Sequence, residues 1–329
     1  MCRNILHFAG MSKLVCPKNS ACLYKTIVLS LLILLALPVL PLNAEAIADS
    51  SRQNYYLSRI ISLDEVELRL NRRTDLFCDF EGNLFLALTD DNKIVKLSPD
   101  GKLLAEIGGF GFGVRQFNLP MELSSRDGGL NLYLLDADNR RIVRLSNTLK
   151  WIGQIEIKTE ETGKIMGDPA GLAVNSGAQI FISDPRNQRV VVYDRNGKYI
   201  RELIGKRRPF LPGKLAIDEN DFLYICEYGG DDIIIFDDLG NLSDRFAPDS
   251  VKSLENIKTD RAYRYVLDQS SPKVAIFDKE FRLIAIISKY AKGAKENFSP
   301  VAVAPAPDGR LWIADYDQNL ILSYDPVRK

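Results

Sequence analysis

The sequence predicts an all-β protein in which six four-stranded antiparallel sheets form a six-bladed β-propeller. Three observations lead to this prediction: a strand-like segment that recurs six times, a constant spacing inside every copy, and an unpaired strand-like segment ahead of the first copy. The chain has 329 residues, which by length alone suggests about two domains. Because the repeats fill most of the chain, we expect instead a single domain at residues 49–329, preceded by a leader at residues 1–48.

The recurring segment is a short apolar run that ends, in all but the first copy, at an acidic residue. A large apolar side chain follows nine residues later in all six copies, and successive copies are 41 to 48 residues apart. A four-stranded unit with this period is typical of a propeller blade. The six runs are Leu84–Leu88, Leu132–Asp136, Ile180–Asp184, Leu223–Glu227, Tyr265–Asp268 and Leu311–Asp315.

The third copy illustrates the four strands of one unit. A weak apolar strand ends at Val174, and a tight turn through Gly177 leads to the apolar run that ends at Asp184. A polar turn, a third apolar strand and a second turn at Gly197 then lead to the fourth strand. Short strands separated by Gly, Asn and Asp turns at roughly 10-residue spacing indicate antiparallel pairing.

The chain ends predict how the ring closes. The sixth copy stops at Lys329 directly after its third strand, so it lacks an outer strand. The strand-like run Tyr55–Leu63 precedes the first copy and belongs to no blade of its own. We expect this N-terminal strand to pair with the last blade, because pairing would cover an open sheet edge and join the two ends.

The leader has the three parts of a secretory signal peptide. Basic residues precede an apolar run at 26–42, and small residues that fit the cleavage rule follow at 44–48. Pro38 and Pro41 interrupt the run, which is shorter than the ~20 residues of a spanning helix. We therefore predict an extracytoplasmic protein, periplasmic or secreted. The alternative is an uncleaved leader that anchors the propeller at the outer side of a membrane.

Charge and composition exclude several function classes. The whole chain has no net charge, and since the leader holds four basic residues and one acidic residue, residues 49–329 sum to −3. Nucleic acid is therefore not an expected partner. The only histidine is His7, in the leader, so the domain has no histidine for a serine triad or a zinc site. Two cysteines, Cys78 and Cys226, lie in apolar strands and are expected to be buried small hydrophobes.

The turns between the second and third strands resemble NHL repeats. The third copy reads Asp184-Pro-Arg-Asn187-Gln-Arg189 with a glycine at 197, and the second reads Asp136-Ala-Asp-Asn139-Arg-Arg141. The resemblance covers about 280 residues and implies the propeller fold, but it implies little about function, because this family includes both enzymes and binding scaffolds. In the fourth and sixth copies Asp232 and Leu320 occupy the Arg position.

The loop face predicts a binding site. In a propeller blade, the second-to-third turns and the inter-blade connections emerge on the same face, where binding residues usually lie. Arg141, Arg189 and the aspartates that begin these turns match the repeat and are expected to be structural. Basic residues outside the repeat pattern form a candidate basic sector, with solvated surface charge as the alternative. They are Arg115, Arg140, Arg186, Lys206, Arg207 and Arg208, beside an acidic sector with Asp231, Asp232 and Asp317.

These observations favour a non-catalytic binding scaffold, with no catalytic residue and no metal ligand assigned. The expected partner is a protein or a polyanionic glycan. The alternative is a calcium-dependent hydrolase or lyase that resembles gluconolactonases, whose family holds calcium with carboxylates and Asn near the central channel. Glu122, Glu255 and Asn256 lie near the starts of innermost strands and are the candidates for such a site.

Overall fold

The computed structural model describes residues 55–157, 166–205, 209–290 and 297–327. These residues form six four-stranded antiparallel sheets and two short 3₁₀ turns. The predicted six-bladed all-β propeller is therefore confirmed. The leader lies outside the described residues, so the predicted cleavage and export remain predictions.

The strands follow the chain in order, four to a blade, except at the ring closure. The first two blades comprise β2 Asp75–Cys78, β3 Leu84–Leu88, β4 Lys93–Leu97, β5 Leu103–Gly108, β6 Pro120–Ser124, β7 Asn131–Asp136, β8 Arg141–Ser146 and β9 Trp151–Glu156. The next two comprise β10 Leu172–Val174, β11 Ile180–Asp184, β12 Arg189–Tyr193, β13 Tyr199–Ile204, β14 Pro212–Ile217, β15 Leu223–Glu227, β16 Ile233–Phe236 and β17 Leu242–Phe246. The last two comprise β18 Leu254–Thr259, β19 Arg264–Asp268, β20 Lys273–Phe277, β21 Leu283–Ile287, β22 Pro300–Pro305, β23 Leu311–Asp315, β24 Leu320–Pro326 and β1 Tyr55–Ser62.

The N-terminal strand closes the ring as the chain ends predicted. The last sheet has the order β1-β24-β23-β22, so the first strand of the chain is the outer strand of the sixth blade. Its register runs from Tyr55 opposite Pro326 to Ser62 opposite Leu320, with an irregularity between Leu57 and Arg59. The pairing leaves no blade with three strands and ties both ends of the described chain into one sheet.

The core lies between neighbouring blades. The second and third strands are sandwiched between two blades and are mostly apolar, and β11 and β12 are buried along their whole length. The outer strands have only one covered face, and β9 accordingly alternates between half-buried and exposed residues. Glycines in the third-to-fourth turns allow close blade contact. Gly101 has φ +85°, and a Cβ there would lie 2.5 Å from Cγ2 of Ile61, which tightens the joint between the first and sixth blades.

The first strands line a central channel, and each contacts the first strands of both neighbouring blades. Because strand direction alternates within a blade, the two ends of the channel differ. We call the end with the inter-blade connections and the second-to-third turns the connection face. The opposite end carries the remaining turns and is called the turn face.

Candidate functional site

Three residues of the predicted basic sector lie exposed on the connection face. Arg115 lies in the connection between β5 and β6, Arg140 in the β7–β8 turn, and Arg186 in the β11–β12 turn. The predicted cluster Lys206, Arg207 and Arg208 lies outside the described residues. The binding role of all six residues remains a prediction.

Two of these arginines share one cavity. Arg140 and Arg186 come from consecutive blades and line a cavity of about 490 Å³, whereas Arg115 is not part of its wall. Arg140 is anchored there by donating a hydrogen bond from Nη1 to the carbonyl of Met166 at 2.8 Å. Asp138 and Asp168 line the same wall, so the arginines act among carboxylates rather than in a purely basic pocket. We call this space the arginine cavity.

The arginines of the repeat pattern have a different environment, because they are buried. Arg141 is 3% exposed, and its Nε donates to Oδ2 of Asp136 at 2.7 Å. Asn139 donates to the same oxygen at 2.8 Å. The remaining N–H groups of Arg141 reach Gln154 in the outer strand and three carbonyls of the connection between the first two blades, those of Phe112, Gly113 and Gln116. This arginine therefore fixes an inter-blade connection, as its position in the repeat predicted.

The third blade repeats this arrangement. Arg189 donates to Asp184 at 3.0 Å and to Glu202 at 2.7 Å, and Asn187 also donates to Asp184. The aspartates that begin the turns accept backbone N–H groups in the second, third, fifth and sixth blades, as expected from their positions. The donors include the N–H groups of Asn118, Gly167, Lys252 and Ser299.

The fourth blade uses the same two positions with opposite charges. Asp232 replaces the arginine and is buried, and Arg245, thirteen residues later, donates to it at 3.3 Å. In the third blade the same thirteen-residue offset joins Arg189 to Glu202. Because Asp232 is buried, it does not belong to the predicted acidic sector on the surface. Arg141 and Arg189 are buried too, so they do not add to the exposed basic residues of the connection face.

A cluster of four charged side chains crosses the channel; we call Asp75, Glu122, Lys214 and Lys258 the channel network. Lys258 Nζ lies 3.1 Å from Asp75 Oδ1 and 3.4 Å from Glu122 Oε1. Lys214 Nζ lies 3.6 Å from Glu122 Oε2, which also accepts the N–H of Leu172 at 2.9 Å. The four side chains come from the first strands of the first, second, fourth and fifth blades, so the network joins opposite sides of the ring.

Burial sets the ionisation of this network. It raises the pKa of the fully buried Glu122, and the charges of Lys214 and Lys258 partly oppose that effect. Burial also acts to lower the pKa of Lys258, but the carboxylates of Asp75 and Glu122 raise it overall. The calcium alternative requires a carboxylate that is free to bind metal. Glu122 instead lies beside the ammonium groups of Lys214 and Lys258.

A second cavity, of about 250 Å³, lies at the connection-face mouth of the channel, and we call it the mouth cavity. Glu255 and Asn256 line it, close to the starts of the inner strands where the sequence placed them. It shares Met121, Ala170 and Tyr228 with the arginine cavity, so the two spaces adjoin. Tyr228 is 67% exposed at this junction.

Cys78 and Cys226 are free and buried, and burial raises the pKa of Cys78 to about 12.

In the described ranges no three His, Cys, Asp or Glu side chains are grouped so as to hold a metal ion. Within the same ranges no helix is long and apolar enough to cross a membrane.

Sequence reasoning missed Asp75 and the two lysines of the channel network, and it missed Tyr228. Lys214 stands among the apolar residues of its first strand, and that interruption is a signal that could have identified it, whereas Lys258 lies in a first strand that is mostly polar. Tyr228 follows the apolar run of the fourth copy with no pattern of its own, so only the folded ring reveals its position between the two cavities.

No protein-family model matches the sequence, and no curated protein has a significant sequence match to it. Solved structures do share its fold. A catalytically inactive histidine-to-alanine variant of virginiamycin B lyase from Staphylococcus aureus, with quinupristin, has a TM-score of 0.56 at 15% identity, covering 82% of this chain and 87% of that chain. A streptogramin B lyase has a TM-score of 0.53 at 15% identity, with 76% and 78% covered. Hydrazine synthase from Kuenenia stuttgartiensis has a TM-score of 0.53 at 12% identity, with 80% and 97% covered. At such identities the likeness shows the propeller fold alone.

Proposed function

We propose that this propeller is an exported, non-catalytic binding protein that recognises an anionic partner, a protein or a polyanionic glycan, on its connection face. The observation that carries the proposal is the arginine cavity. Two exposed arginines from consecutive blades, Arg140 and Arg186, line a single cavity of about 490 Å³. Guanidinium groups bind carboxylate, sulfate and phosphate groups through paired N–H donors.

The chemistry of the channel supports a non-catalytic role. The described residues include no histidine, because the only one in the chain is His7. The similar virginiamycin B lyase is catalytically inactive in a histidine-to-alanine variant. In this chain Glu122, a candidate for carboxylate chemistry, is paired with two lysines.

We also propose that the chain is a divergent NHL-type propeller. The Asp-x-x-Asn-x-Arg pattern corresponds to a hydrogen-bonded triad in the second and third blades, in which the Asp and Arg side chains are buried. The fourth blade keeps the ion pair with reversed charges. Such a replacement would weaken a sequence match while preserving the fold.

The experiment is a cross-linked pull-down from the native envelope fraction, with binding to immobilised heparin as the probe for a glycan partner. The test variant combines Arg140→Glu with Arg186→Glu, and a second variant reverses Lys206, Arg207 and Arg208. The matched control combines Lys102→Glu with Lys150→Glu, which makes the same charge change at exposed residues of the turn face. We expect capture of a specific protein or of heparin by the parent and the control, and its loss in the Arg140/Arg186 variant.

Equal capture by the Arg140/Arg186 variant and the control would show that the arginine cavity is not the binding site. Capture by neither parent nor control would contradict a binding role on this face. Melting temperatures of all variants should match that of the parent, since the substituted arginines of the cavity are exposed.

A further inference from the structure

We infer that the mouth cavity is a binding site for a small zwitterion of the amino-acid type, with its ammonium group at Glu255 and Asn256 and its acidic group at Arg72. This site is separate from the arginine cavity, although the two adjoin at Tyr228. It therefore does not depend on the macromolecular partner proposed above.

The fifth blade supplies two acceptors that lack partners. Asn256 is 3% exposed, and within the described part of the chain its Oδ1 accepts no hydrogen bond. Buried polar atoms in folded proteins are nearly always hydrogen-bonded, so an orphan acceptor in a cavity wall indicates an absent donor. The neighbouring Glu255 is half-buried and is in no ion pair among the described residues. An ammonium group has three donors and a positive charge, which match an amide oxygen and a carboxylate together.

Glu255 lacks a cation of its own because the lysine that lines its cavity is already engaged. Lys214 lines the same cavity, but its Nζ lies 3.6 Å from Glu122 in the channel network. Burial raises the pKa of Glu255, and Lys214 opposes this only through its charge. A bound ammonium group would supply the compensating charge that the protein does not.

The mouth cavity also supplies a group for an acid. Arg72, Arg73 and Lys214 all line it. Arg73 is paired with Asp90 at 3.2 Å, and Lys214 is paired with Glu122. Arg72 lies over the ring of Tyr316, 5.5 Å from its centroid, and has no carboxylate partner among the described residues. A planar guanidinium held on an aromatic ring is suited to bind a carboxylate with two hydrogen bonds.

The size of the cavity limits the ligand. Its volume of about 250 Å³ is below the ~300–1,000 Å³ of pockets for drug-sized molecules, so a compound of amino-acid size is appropriate. Met121, Leu254 and Val301 form apolar parts of its wall and would contact the side chain of the ligand. One unpaired anion, one unpaired cation and an apolar wall together specify a zwitterion rather than a simple amine or acid.

The test is titration calorimetry of the purified protein with each of the twenty standard amino acids, n-butylamine, butyrate and CaCl₂ as separate probes. We expect at least one amino acid to bind, and to bind more tightly than either one-ended probe. Glu255→Gln should weaken that binding about tenfold or more, because it removes a charge-assisted hydrogen bond while preserving shape. Arg72→Gln should have a similar effect. The control Glu280→Gln, at an exposed carboxylate on the turn face, should leave binding unchanged.

Several outcomes would overturn the inference. One is the absence of binding by every amino acid at millimolar concentration, and another is binding that survives Glu255→Gln. Binding of butylamine as tight as that of the amino acids would leave Arg72 without a role. Binding of CaCl₂ that Glu255→Gln abolishes, without amino-acid binding, would assign Glu255 and Asn256 to a metal site instead. None of these results depends on the pull-down, so this site and the arginine cavity can fail separately.

Discussion

Arg140 and Arg141 are neighbours in the chain and have opposite environments. Arg140 has φ +48° and directs its side chain to the arginine cavity, whereas Arg141 begins β8 and is buried. The buried guanidinium of Arg141 donates to the side chain of Asp136 and to carbonyls of an inter-blade connection. These carbonyls lie outside the strands, so Arg141 supplies a hydrogen bond that strand pairing does not. The repeat therefore uses Arg141 for the fold, whereas Arg140, one residue earlier and outside the repeat pattern, stays exposed at the surface.

Replacement of Arg141 should destabilise the protein far more than replacement of Arg115. Arg141→Leu leaves Asp136 and several carbonyls without their partner, so we expect a loss of about 3–5 kcal/mol in the free energy of unfolding. Arg115 is exposed, and Arg115→Leu should change that free energy by no more than about 0.5 kcal/mol. Urea denaturation of both variants measures the difference. Similar midpoints for the two would contradict a structural role for Arg141.

The pH dependence of stability should report the environment of Glu255. Burial raises the pKa of this carboxyl, and Lys214 partly opposes the effect. Folding therefore favours the protonated form of Glu255. The stability that this protonated carboxyl contributes is complete below its unfolded pKa of about 4.3, and it is lost as the pH rises through the pKa of the folded state. Glu255→Gln remains neutral, so its melting temperature relative to that of the parent should increase from about pH 4 to pH 7. Parallel melting curves across this range would show that the carboxyl is not desolvated.

At the scale of elements, the outer strand of the sixth blade comes from the other end of the chain. Ser58 of β1 donates to Ser323 of β24, with the two Oγ atoms 3.1 Å apart. These residues are 265 positions apart in sequence, so this pairing closes nearly the whole described chain into one ring. Loss of this strand would expose an unpaired edge on β24.

A covalent link at this pairing should stabilise the ring. Ser58→Cys combined with Ser323→Cys places two thiols on adjacent strands, and their disulfide should raise the free energy of unfolding by about 2–4 kcal/mol, because it restricts a very long loop in the unfolded chain. The measurement compares guanidinium denaturation of the oxidised and reduced double variant, with Ser58→Cys alone as the control. An oxidised form no more stable than the reduced form would indicate that the closure is already maintained in the unfolded ensemble or that the geometry is strained.

At the scale of the whole molecule, the fold could be predicted from the sequence, whereas the residues that meet at the candidate site could be predicted only in part. Blade number and strand order follow from a spacing repeated six times, because each blade must bury the same faces against its neighbours, and the ring closure follows from the unpaired strand ahead of the first copy. The channel could not be predicted in this way, since it collects one strand from every blade. Lys258 contacts Asp75 across 183 residues of sequence, and no local pattern relates the two. For the same reason, no local pattern shows that Arg140, Arg186 and Tyr228 line one cavity.

The channel network should behave as one unit in stability measurements. Glu122→Leu leaves Lys214 and Lys258 without a shared carboxylate in a buried site, so we expect a loss of about 3–5 kcal/mol in the free energy of unfolding. Replacing all four members with apolar residues (Asp75→Leu, Glu122→Leu, Lys214→Met and Lys258→Met) removes the four charges of the network together, and most of that loss should be regained. Urea denaturation in low and high salt tests both expectations, because a buried network is little affected by ionic screening. If the quadruple variant were less stable than Glu122→Leu, the network would be a net source of stability, and the ring would depend on its charges rather than only on the apolar packing between blades.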